Sequence, residues 1–445
     1  MNERPDVNEA SLEPAIGAGR AIVAATIGNA LEFYDFITYA FFSIQIGRCF
    51  FPSTSPYASL MLSLATFGAG FLTRPIGGIV IGTLADRVGR KPAMVLSFML
   101  MGGAIVALAL IPSYAEIGIA APALAVLARM VQGFALGGEM GPTTAYLLEA
   151  APPSRRGLFT AWQGASQNIA AIVAGLVGLV LASIMSAHAL DLYGWRVAFL
   201  LGAVTLPFGI WIRRSLPETI HAHEAPAPVH RVHTSVLATV RANGRILSLA
   251  FVVIASGTIG TYIGNYLVTF AQNTLHMPAR TAFLASVLRD ATGLGAALVG
   301  GRLSDRFGRR PLMLWPRAAI LVLIYPIFAW IVETRTATAL IVGYTILSIL
   351  GGLWGGAFYA AFSESVPKSI RGGSIATIYA TAVAIFGGTT QLVVTWLLHA
   401  TGNPMALAWY LLAAAVAGTL AMAFMLESAP ARVRPLAEPL VAPAA

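Results

Sequence analysis

The sequence predicts an all-α membrane protein of twelve transmembrane helices in two pseudo-symmetric six-helix bundles, and three observations predict it. Of 445 residues, 57% are hydrophobic and only 11% charged, against roughly one quarter charged in soluble domains; a water-facing fold could not cover itself. The apolar residues come in long runs such as Met94 to Ile111, Val197 to Ile212 and Leu407 to Leu426, several near the roughly 20 residues that cross a bilayer as helix. The cations, finally, sit mostly between these runs.

Breaks at Pro, Gly and charge clusters place the spans, in order, at 21–47, 57–84, 92–112, 117–148, 158–186, 194–212, 246–272, 281–303, 311–332, 336–363, 372–400 and 406–426. The stretch before Ala21 is polar and acidic and lacks a small-residue cleavage site, so the first span is expected to be a retained helix and not a removable signal. Residues 213–245, with RRSLPET and a His- and Pro-containing run, form the longest polar segment and split the spans six and six. The expected organisation is therefore a tail at 1–20, a bundle at 21–212, a central loop at 213–245, a second bundle at 246–426 and a tail at 427–445. His221, His223, His230 and His233 in the loop are irregularly spaced, as in a solvated linker.

With both termini cytoplasmic, 20 of the 28 Lys and Arg fall in cytoplasmic segments or the helix ends beside them. Only Arg48, Arg196, Arg280 and Arg335 lie outside, and Arg74, Arg129, Arg289 and Arg317 lie within spans. The positive-inside rule sets that orientation. The formal charge of +9 is thereby a matter of topology, and no nucleic-acid partner is expected, since that needs a soluble basic face. A single cysteine, Cys49, excludes an internal disulfide, and no Cys/His cluster has metal-ligand spacing. No metal or cofactor is expected.

The two halves repeat each other. GTLADRVGRK (82–91) and GRLSDRFGRR (301–310) match at an offset of 219, and EAAPPSRRG (149–157) and ESVPKSIRG (364–372) match without gaps at an offset of 215. Such parallel repeats are related by an axis along the membrane normal, and solute binds near the midplane between them.

The doubled G-x-L-x-D-R-x-G-R-[KR] resembles the loop signature of the major facilitator superfamily, and RMVQGFALGGEMG (129–141) is similar to its fourth-helix motif. GNALEFYDF (28–36), TRPIGG (73–78), FTAWQGASQN (159–168) and GWRVAFL (194–200) resemble the metabolite:proton symporters within it, a group that includes carriers for citrate, tricarballylate, α-ketoglutarate, shikimate, and proline or betaine. The resemblance runs from Gly28 to about Ser428. It implies that Asp86, Arg90 and Glu149 in one half, with Asp305, Arg309 and Glu364 in the other, form a cytoplasmic gate that breaks and reforms as the halves rock.

An ionisable group in hydrocarbon costs at least about 2.5 kcal/mol and marks function by default. Four acids lie within spans, Glu32, Asp35, Glu139 and Asp290, and these are the proton-coupling candidates. On the first helix Asn29, Glu32, Phe36 and Tyr39 share a face, with Asp35 at its edge. The fourth lays Arg129, Gln132, Leu136, Glu139, Thr143 and Tyr146 along one stripe, with glycines on the other sides. Arg129 either holds a substrate carboxylate or pairs with an acid of the first helix. Gln163 and Gln167 on the fifth helix, and Tyr262, Asn265 and Tyr266 on the seventh, supply neutral donors. Arg289 faces substrate while Asp290 pairs or titrates, or the reverse, since adjacent helical residues diverge by about 100°. Arg74, before Pro75, is a third substrate cation or a packing charge. Arg317 is placed near the cytoplasm and expected to snorkel, and Trp354, Tyr359 and Gln391 are further cavity candidates.

Three deep arginines and no lysine within any span point to an anion, because the guanidinium fork matches carboxylates. The expected protein is a monomeric, multi-pass inner-membrane carrier whose partners are a small substrate, protons and the lipid bilayer. Its expected task is proton-coupled symport of a di- or tricarboxylate by alternating access. Proline/betaine or shikimate symport is the alternative, ahead of drug export. No nucleophile with its base, metal cluster or phosphate loop suggests an enzyme.

Overall fold

The computed structural model describes residues 18–88, 90–137, 147, 151–204, 244–365 and 371–429, with side chains except at 18–25, 28, 32, 85, 86, 90, 91, 94, 153 and 371–376. Twelve helical segments follow one another among the described residues, and no strand occurs. They are α1 (Ala18–Phe41, continued by Ser43–Phe50), α2 (Pro56–Leu72 and Arg74–Val88), α3 (Arg90–Leu110), α4 (Ala120–Leu136), α5 (Arg156–Ile184) and α6 (Ala187–Ala189, Leu190–Gly194 and Trp195–Val204). The second six are α7 (Gly244–Asn265, Leu267–Thr269 and Phe270–Thr274), α8 (Ala279–Phe307), α9 (Arg309–Thr334), α10 (Ala337–Ser365), α11 (Arg371–Ala382, Val383–Gly387 and Gly388–Thr401) and α12 (Ala406–Ala423). Eight contain stretches long and apolar enough to cross a bilayer. Beyond Gly137 and Val204 the fourth and sixth expected spans leave the described residues, save Leu147.

Local chemistry sets several helix ends. The Ser55 side chain accepts from Ala58 N at 3.4 Å and Pro56 opens α2, a position where a missing N–H costs nothing. The same helix breaks at Thr73, just before Arg74–Pro75. Proline cannot donate to the preceding turn and restricts the residue before it. The Thr73 hydroxyl ties the break to α4, donating to the Met130 carbonyl at 2.7 Å. Gly308, at φ +99°, takes the left-handed backbone that lets the chain turn sharply from α8 into α9.

Packing rests on small residues, since lipid offers no hydrophobic drive between helices and close backbone approach must supply the attraction. A Cβ on Gly133 would collide with Gly70 O, and one on Gly70 would lie 2.9 Å from Arg129 O. These glycines bring α2 and α4 together and set the depth of Arg129. Gly300 and Gly356 do the same for α8 and α10.

The halves meet along α5 and α8, where Gly157 faces Gly301 at one end and Gly178 faces the Phe283 ring at the other. At that second end, opposite the repeated loop motif, Ser43 and Thr269 hydroxyls bond at 2.9 Å and Phe42 lies 5.3 Å from Phe283. The end is closed.

Candidate functional site

A cavity of about 270 Å³ opens between the halves, walled mainly by α7, α8 and α10, with Phe33 and Ile37 of α1, Gln167 and Asn168 of α5, and residues of α9, α11 and α12 also lining it. Of the site residues expected from sequence, Gln167, Tyr262, Asn265, Arg289 and Asp290 line it, as do Trp354 and Tyr359. Arg289 Nη1 lies 3.2 Å from Asp290 Oδ1, and Ser286 donates to Asp290 at 3.3 Å. Arg289 remains the more accessible of the two, its side chain 12% exposed against 1%. Gly264 leaves room for that guanidinium, since a Cβ there would collide with it.

Arg317 departs from expectation. It does not reach for the membrane surface; it is 4% exposed, lines the cavity and donates to Ser256 Oγ. The linear position of Arg317, one or two turns into α9, does not reveal that its side chain lines the cavity, and the preceding Pro316 inside α9 is the available signal. Tyr344, Ser348 and Tyr379 also line the cavity; the sequence carries little signal for them, because tyrosines in apolar helices resemble packing.

Asp35, Arg129 and Gln132 come together beside the cavity without lining it. Arg129 Nη1 donates to Asp35 at 2.9 Å and to Gln132 Oε1 at 2.5 Å, and Gln132 Nε2 reaches Asp35 at 3.3 Å. Both charges are sealed, the side chains 0% and 1% exposed. Of the two alternatives for Arg129, the structure displays the pair with the first helix. Phe36 links this pair to Arg74: its ring lies 4.2 Å from the Arg129 guanidinium and 4.4 Å from that of Arg74. Arg74 also stacks on Phe71 at 4.1 Å and faces the Tyr262 and Tyr379 hydroxyls of the other half. Among the described residues no carboxylate lies within ion-pair distance of Arg74 or Arg317.

The remaining candidates have other surroundings. Asn29 clasps α5, donating to Ser166 Oγ at 2.6 Å, with Gln163 Nε2 3.4 Å from its Oδ1. The Tyr266 hydroxyl accepts from Thr395 at 2.9 Å, and Gln391 approaches the Tyr262 carbonyl. The Glu32, Asp86 and Arg90 side chains, and Glu139 and Glu149 altogether, lie outside the described residues.

The second-half residues expected to form the gate do converge. Arg309 donates to Asp305 at 2.7 Å and in fork fashion to Glu364 at 3.0 and 3.2 Å. Asp305 also crosses between halves, accepting from Gly157 N at 2.7 Å and Leu158 N at 3.0 Å, the first turn of α5. A carboxylate there satisfies orphan donors and complements the helix dipole. The sequence did not announce the role of Glu427, which accepts from Arg309 N and Arg310 N and so caps α9.

Glu427 lies beyond α12. Burial pushes its carboxyl up, but backbone N–H groups of Ala429, Arg309, Arg310 and Ser428 outweigh this and hold it below its ordinary value of 4.5. A carboxyl depressed in the folded state contributes stability that is present above its unfolded value and is lost as pH falls through the folded one. Glu427→Gln is therefore expected to lower the melting temperature of the purified protein at neutral pH and to flatten its decline below about pH 4.5, as read by thermal melts across pH.

A family model described as the Major Facilitator Superfamily matches residues 21–389. The chain is 36% identical over 411 residues to a citrate-proton symporter of Salmonella typhi, covering 92% of this chain and 94% of that protein. It is 35% identical over 407 residues to a citrate-proton symporter of Klebsiella pneumoniae, covering 91% of each. A proline/betaine transporter of Escherichia coli is 30% identical over 430 residues, covering 92% of this chain and 84% of the relative. Among solved structures, a D-xylose-proton symporter superposes with a TM-score of 0.75 at 18% identity, covering 94% of this chain and 99% of that one.

Proposed function

Because the chain belongs to the Major Facilitator Superfamily, we propose that it is a secondary active transporter in which proton entry drives uptake of a small di- or tricarboxylate, citrate foremost. One observation carries the anionic substrate: among the described residues that line the cavity stand Arg289 and Arg317 against the carboxylate of Asp290, and Arg74 lies beside it, stacked on Phe36 and Phe71. A buried cation without a counter-charge is costly in a bilayer, and an anionic solute supplies what the wall lacks. The size agrees, since about 270 Å³ suits a small metabolite and falls below the roughly 300–1,000 Å³ of drug-sized pockets. A zwitterionic osmolyte carries its own cation and leaves the excess uncompensated.

In this reading Arg289 takes a substrate carboxylate as a planar fork, with Asn265, Gln167 and the cavity tyrosines donating to the remaining oxygens. Asp35 takes the proton. Once neutral it releases Arg129, and the contact of Phe36 with both guanidinium groups passes that change to Arg74 and to Tyr262 of the other half. The halves then rock as two bundles, 21–212 and 246–426, about the central loop. The Asp305–Arg309–Glu364 cluster is the gate at the motif end, which we assign to the cytoplasm, with both termini on that side of an inner membrane and the monomer as the working unit.

The test is uptake into liposomes under an inside-alkaline pH gradient, with labelled citrate competed by tricarballylate, α-ketoglutarate, shikimate, proline and glycine betaine. Gradient-dependent citrate uptake displaced by carboxylates is the expected outcome. Uptake displaced only by proline or betaine would replace this reading with the osmolyte one.

A further inference from the structure

We infer that Arg317 is a second carboxylate anchor, distinct from Arg289, that makes the cavity select solutes with two or more carboxylates over those with one. This rests on the anionic reading of the cavity and adds a residue to it. Three observations on different helices converge on the Arg317 guanidinium. It is held against the Trp354 ring of α10 at 4.6 Å and donates to the neutral Ser256 hydroxyl of α7, while its Nε is buried without a partner. Gly418 of α12 leaves the space it occupies, because a Cβ there would collide with Nη2. These surroundings shape and orient the cation, and among the described residues no carboxylate lies within ion-pair distance to neutralise it. A structural arginine at this depth would be paired, as Arg129 is with Asp35 at 2.9 Å; an unpaired one facing a cavity is completed by what enters.

The spacing argues for one ligand bridging both arginines. Arg289 packs on Gly264 and Arg317 on Ser256 of the same continuous helix. Eight residues of helix correspond to an axial separation of about 12 Å. A fork hydrogen bond at each end takes up about 2.8 Å, and the guanidinium and carboxylate groups much of the rest. What remains is a short carbon chain between two carboxylates, the dimension of a four- to six-carbon polycarboxylate. A monocarboxylate reaches one anchor only, and the Trp354 ring, wedged between Arg317 and Gly257, gives an aromatic reporter beside the second.

The experiment is equilibrium binding by tryptophan fluorescence on the purified full-length protein, with citrate, succinate and butyrate, the last being the one-carboxylate match of succinate. Wild type is expected to prefer succinate to butyrate. Arg317→Gln is expected to weaken citrate and succinate about 10- to 100-fold, the range of a lost charged hydrogen bond, while leaving butyrate unchanged, so that the preference collapses. Arg317→Lys, which keeps the charge and the fold but not the fork, is expected to fall between. Ser256→Ala, which removes only a neutral partner, is expected to stay within a few-fold of wild type. If wild type binds citrate but shows no preference for succinate over butyrate, or if both Arg317 variants keep that preference, the second anchor is refuted and the transport reading stands. If wild type binds no carboxylate, the transport reading itself fails.

Discussion

Asparagine at position 35 is expected to abolish uphill transport while sparing exchange of substrate across the membrane. Each proton moving down one pH unit supplies about 1.4 kcal/mol, a tenfold concentration ratio; wild-type liposomes should therefore accumulate citrate about tenfold per coupled proton per pH unit. Asp35→Asn is neutral in every state, so the protein cycles as if permanently protonated and the ratio falls to about 1, whereas counterflow of labelled against unlabelled citrate persists. Removing one partner of a buried pair ordinarily costs 3–5 kcal/mol of stability. Here Gln132 still accepts from Arg129, and the Phe36 and Tyr39 rings still face its guanidinium at 4.2 and 4.6 Å, which favours survival of the fold. Retained uphill accumulation by the variant would remove Asp35 from the coupling step.

Arg289→Gln is expected to raise the KM for carboxylates by about 10- to 150-fold, the equivalent of 1.5–3 kcal/mol for hydrogen bonds to a charged group. Arg289→Lys restores charge but not the planar fork and recovers only part of the loss. The variant also strips Asp290 of its counter-charge, leaving Ser286 at 3.3 Å as its remaining partner, so a lower melting temperature accompanies the kinetic defect. The double variant Arg289→Gln with Asp290→Asn separates the two effects: stability returns and affinity does not. Binding data and thermal melts on the same preparations check both.

Much of this arrangement was legible in the linear sequence. Hydrocarbon-length runs and the two repeated motifs carried the twelve-helix fold, because a bilayer demands continuous apolar helix. Arg289, Asp290, Tyr262 and Asn265 were recognisable because polar groups inside apolar runs stand out. What the sequence did not show was distance between helices. Asp35 and Arg129 are 94 residues apart, and nothing in either motif decides whether Arg129 meets a neighbouring acid or a solute; the approach of α1 to α4 in three dimensions does. The surroundings of Arg317 escape a linear reading for a related reason. Its position depends on the Ser256 hydroxyl of α7 and on the space left by Gly418 of α12, neither of which a linear pattern encodes. Glu427 reads as part of a tail because Pro and Ala dominate the residues after it, and its capping of α9 depends on the sharp turn at Gly308.

Proton movement during substrate entry tests the coupled mechanism most directly. Liposomes containing a trapped pH-sensitive dye, held with no initial pH gradient and with membrane potential clamped, are given an inward gradient of citrate. Symport predicts that the lumen acidifies as labelled citrate enters, at a fixed ratio of protons to citrate that Asp35→Asn eliminates. Citrate entry with an unchanged luminal pH would contradict it.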